Sequence, residues 1–357
     1  MWGRSSVPAH IAPPCVVLPG NVVTTDEICA DIRRAHPELP RLEAVLRVAR
    51  ATTVRTRHFT RPLGAPTVAG KALVEERNRA AYEDALDLAA EAGRRALARA
   101  RLRPGDIDAI VTSHTTSWTV PSLDVHLVTE LGLRPDVRRH PMGTVGCAGG
   151  AQGLVRAHLD IAAHPGANVL VVTSECLSAA TYNHEDTSLE SMVYKVLFGD
   201  GAAAAVVCER PTWDGPGFVV EDTFEYVLPD SADRYRGRLS GAGLHFDSTR
   251  AATAAFNDCL PALREWLGDD ALDFAVVHPG GPRILDDTAA GLGLDGAGGA
   301  LRHAWESLAA NGNLGGSAVL DVLFRTSVQP PAVGAAGLII AFGPGFVLTA
   351  ARGHWSN

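Results

Sequence analysis

The chain predicts an α/β fold in two halves, and three observations carry that expectation. Apolar strand-like runs alternate with helical stretches along most of the sequence, the pattern of an α/β protein. At 357 residues the chain exceeds what one hydrophobic core usually serves, so two domains or one duplicated unit is expected. The stretch ERPTWDGPG (209–217) carries two prolines and two glycines and marks a join, which divides the chain into 1–211 and 212–357.

The elements follow in order. YEDALDLAAEAGRRALARARL (82–102) has helical periodicity, and IDAIVTS (107–113) reads as a buried strand. ANVLVVTSE (167–175) and GAAAAVVCE (201–209) are two more strands. LDFAVVHPGG (272–281) is a strand running into a Gly-Pro turn, and AAGLIIAFGPGFVLTAA (335–351) suggests a hairpin.

Composition narrows the function classes. The chain is 46% hydrophobic and 20% charged, ordinary for a soluble enzyme. A net charge of −8 argues against nucleic acid as the main partner and leaves room for a local basic patch that takes phosphate. Six scattered cysteines form no CxxC pair and no zinc spacing, so neither a disulfide framework nor a metal site is expected. Prolines interrupt the first twenty residues, and no apolar run approaches the roughly 20 residues that span a bilayer. A cytoplasmic protein without membrane contact is the expectation.

HPMGTVGCAGGAQGLVRAHLDI (140–161) places Cys147 between glycines, where an apolar segment hands over to a helix. A buried structural thiol accounts for such a residue in many proteins. A nucleophile at a helix N-terminus, its thiolate favoured by the amide dipoles, is the alternative, and the glycine collar taken alone is a weak signal for it. Two later stretches favour the second reading. VVHPGGPRIL (276–285) sets His278 at the end of a buried strand, and NGNLGGSAVLDVLF (311–324) sets Asn313 just before a helix. Cysteine, histidine and an amide make an acyl-transfer set of nucleophile, proton carrier and oxyanion donor. The Cys–His–Asn order also occurs in papain-like proteases, but Cys147 is mid-chain and lacks their C-G-[SA]-C-[WY] setting.

GCAGG, VLFGDGAAA (196–204), HPGGPRIL, GNLGGSAVL and FGPGF (342–346) occur in the order and spacing of chalcone-synthase-like type III polyketide synthases. The chain resembles that family from about residue 85 to residue 351. The resemblance implies a duplicated thiolase-type fold of αβαβα layers, a homodimer, and Cys147, His278 and Asn313 as catalytic triad. It implies a Cys-bound acyl starter from an acyl-CoA, extended by decarboxylative condensation with malonyl-CoA and then cyclised. CoA thioesters are then substrates, and no cofactor or metal is implied.

By the same resemblance Phe246, in GLHF, is an aromatic gatekeeper, and Tyr182 lies near a second gatekeeper position where the alignment slips by one residue. An ordinary core aromatic is the competing reading of Tyr182. Thr115, with Thr116 beside it, and Glu175 match the hydroxyl–carboxylate network that steers cyclisation in several members. The serine of that network is replaced by Gly315, which points toward lactonisation to an alkyl pyrone and toward a cavity floor open to longer chains. The CoA rim falls in EAVLRVARATTVRTRH (43–58), where Arg47 coincides with a family basic residue and Arg50, Arg55 and Arg57 lie nearby. A solvated helix face, or acyl delivery from a carrier protein, fits the same residues.

Two signals are set aside. GLGLDG (291–296) satisfies G-x-G-x-x-G without a preceding strand, so it reads as a loop. His184, Glu185 and Asp186 are adjacent and not expected to converge on a metal. Rival functions are a ketoacyl synthase III-type single condensation with malonyl carrier protein and a non-catalytic thiolase-fold scaffold.

Overall fold

A computed structural model of the chain describes residues 7–69, 72–294 and 299–357. The predicted elements are present with adjusted ends. The first helix of the sequence reading spans Val74–Ala100, and the strands span Ala109–His114, Asn168–Glu175 and Gly201–Cys208. The late strand is Phe274–Val277, and the hairpin is Ala336–Gly343 with Val347–Ser356. The GLGLDG stretch differs from expectation. Gly291 and Leu292 close the helix Pro282–Leu292, Gly293 caps it in the left-handed region, and Asp295 and Gly296 lie outside the described residues.

Strands from both halves join one ten-stranded sheet. The short strand Ala9–Ile11 links them, pairing antiparallel with Gly201–Cys208 on one side and Gly217–Val227 on the other. Phe274–Val277 and Ala336–Gly343 run parallel at one end, as do Ala109–His114 and Arg138–Gly143 at the other. Gly201–Cys208 is buried along its whole length, as a strand covered on both faces should be. On one face its Ala202 and Ala204 share a core cluster with Ala89 and Ala92 of the alanine-rich helix Val74–Ala100. Small side chains on both partners let helix and strand approach closely.

Layering follows from the helix Gly149–Ala163. It packs against Ala109–His114 and Asn168–Glu175 from the first half and against Val347–Ser356 and Ala336–Gly343 from the second. Val74–Ala100 covers Asn168–Glu175 and Gly201–Cys208, Leu123–Leu131 covers Ala109–His114, and Ala255–Leu267 covers Gly217–Val227. The order is helix, sheet, helix, sheet, helix, the two sheet layers being the two ends of the one ten-stranded sheet on either side of Gly149–Ala163. No helix among the described residues is long and apolar enough to cross a membrane.

Candidate active site

Cys147 lies on the single 3-10 turn Gly146–Ala148 that leads into the helix Gly149–Ala163. Gly146 has φ +57°, and a Cβ there would stand 2.9 Å from Pro344 Cδ, so the turn needs glycine both for its backbone and for its neighbour. Gly150 serves a different end. A Cβ at that position would overlap the Gly316 carbonyl, so its absence lets the GNLGG turn reach the start of the cysteine helix. That approach brings Asn313 to Cys147.

Asn313 is fixed through its backbone and its side chain. Its N–H donates to Leu197 O at 2.8 Å, and its carbonyl accepts from Gly199 N at 3.0 Å. These bonds lock the GNLGG turn to the LFGDG segment. Asn313 Oδ1 accepts from Gly315 N at 2.8 Å, which leaves Nδ2 facing Cys147 Sγ at 3.7 Å. His278 follows the strand Phe274–Val277 directly; its N–H donates to Ile340 O at 2.9 Å. The buried imidazole leaves Nδ1 without a protein partner.

These three side chains line one cavity of about 390 Å³. Five of the six cysteines are buried, and Cys147 alone is partly exposed. Its sulfur opens to the cavity while protein surrounds it, so bulk solvation is lost. Burial pushes the Cys147 thiol up to about 12, against the Asn313 amide and its own backbone N–H, which pull the other way. Burial likewise pushes the His278 imidazole down to about 3. The helix starts two residues after Cys147, and desolvation outweighs the thiolate stabilisation expected from its amide dipoles.

Glu175 also lines the cavity. Its Oε2 accepts from the backbone N–H of Thr115 at 3.0 Å and of Thr116 at 3.2 Å, while Oε1 has no protein partner. Burial raises this carboxyl to about 8 despite those bonds. Thr115 faces the cavity, and its Oγ1 accepts from Gly146 N at 3.0 Å. Thr116 does not line it; its buried hydroxyl accepts from Cys176 N at 3.0 Å, which makes it a support for Glu175. Gly315 lines the cavity without opening its floor. It has φ +59°, and a Cβ there would stand 2.9 Å from Glu175 Cγ, so Glu175 occupies the space that a missing side chain was expected to free.

The aromatic positions divide. Phe246 lines the cavity as expected, and Phe198 opposes it, with ring centroids 5.7 Å apart at 76°. Tyr182 is instead buried away from the cavity; its hydroxyl donates to Asp31 Oδ2 at 2.7 Å and its ring meets Phe59. Phe198 was within reach of sequence reasoning, because it sits in the quoted VLFGDGAAA and precedes the glycine bonded to Asn313. Tyr194, Tyr235 and Ser248 also line the cavity, and no sequence signal marked them.

None of the basic residues in 43–58 lines the cavity, whose mouth is edged here by Val48 and Thr52. Arg47, next to Val48 in the chain, and Arg55 are exposed, and Arg50 pairs with Asp26 at 3.1 Å. Arg57 is corrected outright. It is fully buried and donates to Val23 O, Thr25 Oγ1 and Val196 O, so it is a structural tie and no phosphate ligand. His184 turns to Asp31 at 2.9 Å, Asp186 turns to His245 at 2.8 Å, and Glu185 faces solvent.

The layered α/β architecture with a cysteine at the start of its central helix defines a thiolase-type enzyme that transfers acyl groups. The chain matches the N-terminal domain of chalcone and stilbene synthases over residues 15–211 and their C-terminal domain over 220–351. It belongs to that family and is a type III polyketide synthase, an acyltransferase. It is 35% identical to 1,3,6,8-tetrahydroxynaphthalene synthase of Streptomyces coelicolor over 98% of this chain and 93% of that protein. The crystal structure of that synthase superposes with a TM-score of 0.91, covering 98% of this chain and 99% of the other. Germicidin synthase from S. coelicolor superposes with the same score at 29% identity, covering 98% and 100%. An alpha-pyrone synthesis polyketide synthase-like protein, Pks18 of Mycobacterium tuberculosis, is 31% identical over 77% of this chain and 72% of its own.

Proposed function

We propose that this chain loads an acyl group from a CoA thioester onto Cys147 and extends it repeatedly with malonyl-CoA, releasing an alkyl-substituted pyrone. The observation that carries the reading is the cavity-facing Cys147 sulfur with the Asn313 amide aimed at it, in a cavity shared with His278. His278 takes the thiol proton as Sγ attacks the acyl carbon, and CoA leaves as its thiol. The malonyl thioester then enters with its carbonyl oxygen toward Asn313 Nδ2 and His278. Loss of CO₂ leaves an enolate whose oxygen those donors stabilise where charge develops; each such donor typically contributes ~3 kcal/mol. The enolate carbon attacks the acyl-Cys147 carbonyl, the C–S bond breaks, and the chain, two carbons longer, is reloaded.

Release as a pyrone is supported by the incomplete hydroxyl network. Glu175 Oε1 has no hydrogen-bond partner among the described residues, and Gly315 supplies no hydroxyl. A chain enol oxygen then attacks the Cys147 thioester, closing a lactone and freeing the thiol. A second reading, a polyhydroxylated arene built from malonyl units, is favoured by the hydroxyls of Tyr194, Tyr235 and Ser248 in the cavity wall.

Arg47 and Arg55 are proposed to meet the CoA phosphates at the mouth, with Arg50 contributing charge from its pair with Asp26; an acyl carrier protein is an alternative donor at the same rim. A homodimer is supported by the exposed Trp118 and Val120. Intact-protein mass spectrometry after incubation with acyl-CoAs tests the loading step. A mass increase of one acyl group, lost in Cys147→Ala, is expected; an unmodified wild type overturns the proposal.

A further inference from the structure

The ribbon of strands Tyr235–Ser240 and Gly243–Ser248 has two faces, and the cavity uses one of them. Register partners share a face, and successive residues of a strand alternate between faces. Tyr235 pairs with Ser248 and Gly237 with Phe246, and Tyr235, Phe246 and Ser248 line the cavity. The alternate pairs, Arg236 with Asp247, Arg238 with His245 and Ser240 with Gly243, therefore face away from it.

On that far face three side chains form a line of hydrogen bonds. His245 Nδ1 bonds to Asp186 Oδ2 at 2.8 Å, and His245 Nε2 bonds to Ser240 Oγ at 2.7 Å. A carboxylate only accepts, so Nδ1 carries the proton, and Nε2 of the neutral ring accepts the Ser240 O–H. His245 and Asp186 keep only 7% and 13% of their side chains exposed, while Ser240 is half-buried.

Asp186 is fixed from several sides. Its Oδ1 accepts from Ser188 N at 3.0 Å, its N–H donates to Asn183 Oδ1 at 3.2 Å, and its carbonyl accepts from Lys195 Nζ at 3.1 Å. Arg238 reaches Oδ2 at 3.3 Å. Burial opposes ionisation, yet the bonds from Ser188 and His245 hold the carboxyl down to about 2, so it stays charged behind the imidazole.

Ser240 closes its strand at a two-residue turn. Its Oγ accepts from Ala242 N at 3.1 Å. Gly241 is exposed, and a Cβ there would meet nothing within 4 Å, so the turn is open to an approaching molecule. Among the described residues the Gly241 N–H has no acceptor. The N–H of the residue after a nucleophile serves as an oxyanion donor in other serine enzymes. Nucleophile, base, orienting carboxylate and oxyanion donor thus meet at one turn.

We propose that Ser240, His245 and Asp186 form a second catalytic site, apart from Cys147, that hydrolyses short-chain carboxylic esters through an acyl-Ser240 intermediate. Ser240 Oγ attacks the ester carbonyl carbon as His245 Nε2 takes the hydroxyl proton, and the oxyanion meets the Gly241 N–H. The C–O bond to the alcohol breaks, and the alcohol leaves with the proton from Nε2. Water then attacks the acyl-Ser240 carbon, giving one proton to Nε2, and the carboxylic acid departs as Oγ recovers that proton. The open turn offers no wall to a long chain, which limits the acyl group to a short one.

The test follows hydrolysis of p-nitrophenyl acetate and labelling by a fluorophosphonate, with the labelled residue located by peptide mass spectrometry. Both use the full chain in the Cys147→Ala background, so that the cavity thiol cannot take the acyl group. Labelling at Ser240 is expected, together with hydrolysis lowered about 100-fold or more by Ser240→Ala at an unchanged melting temperature. Asp186→Asn keeps the shape and removes the charge that orients the imidazole, and it should lower hydrolysis comparably. A protein that takes no label, or takes it only at other residues, overturns the site without any variant at the triad. Hydrolysis within about twofold of the background in folded Ser240→Ala also overturns it.

Discussion

Asn313 and Gly315 form the short bond on which the orientation of the site turns: the Gly315 N–H donates to Asn313 Oδ1 at 2.8 Å. With its oxygen so engaged, the amide presents Nδ2 to Cys147 Sγ at 3.7 Å. Asn313→Asp keeps the acceptor for Gly315 and replaces the donor with an oxygen that repels an enolate. Decarboxylation of malonyl-CoA should fall by about 100-fold or more, while iodoacetamide still alkylates Cys147. Decarboxylation at the wild-type rate would show that Asn313 is no oxyanion donor.

On the proposed reading, His278 is the group that makes the thiolate attainable. Burial, only partly offset by the Asn313 amide, pushes the Cys147 thiol up to about 12, so without the imidazole the thiolate fraction at neutral pH is very small and grows tenfold with each pH unit. In His278→Ala, alkylation at neutral pH should drop about 100-fold and climb steadily through the alkaline range. A pH profile matching wild type would remove His278 from the role of proton acceptor.

Gly315 is constrained by both backbone and space. Its φ of +59° and the 2.9 Å approach of Glu175 Cγ leave no room for a side chain. Gly315→Ser should cost about 1–3 kcal/mol and lower the melting temperature by about 2–6 °C. It should also alter the product ratio, because the new side chain displaces Glu175. Calorimetry and product analysis of the one variant check both.

Glu175 supplies a pH dependence of stability. Its folded value near 8 lies above the ordinary 4.5, so the folded state holds a proton that the unfolded state releases first. The contribution is fully present below about 4.5 and is lost as pH rises to 8, where the buried carboxyl must ionise. Glu175→Gln mimics the protonated form and should gain stability relative to wild type steadily across that window. Parallel melting curves at several pH values would contradict this.

The catalytic candidates were legible because each stands at an element end beside glycines. Such turns announce themselves in one dimension: GCAGG, HPGG and GNLGG are local. What stayed hidden depends on which residues meet across the fold. Tyr182 and Phe198 are both aromatic and sixteen residues apart, and only the bond from Asn313 to the LFGDG backbone decides which reaches the cavity. Arg57 looked like one more exposed cation, yet it points inward from the alternating strand Thr56–Phe59. Tyr235 and Ser248 meet through the register of a hairpin. The thiol and imidazole values follow from burial, which no local pattern reports.

The central claim is that Cys147 carries an acyl chain that malonyl units extend. The most direct measurement incubates the purified protein with malonyl-CoA and acyl-CoAs from acetyl to palmitoyl, and reads the products by mass spectrometry beside Cys147→Ala. Multiply extended, cyclised products from wild type and none from the variant are predicted. A single-extension β-ketoacyl thioester, or products that survive loss of Cys147, would contradict the account.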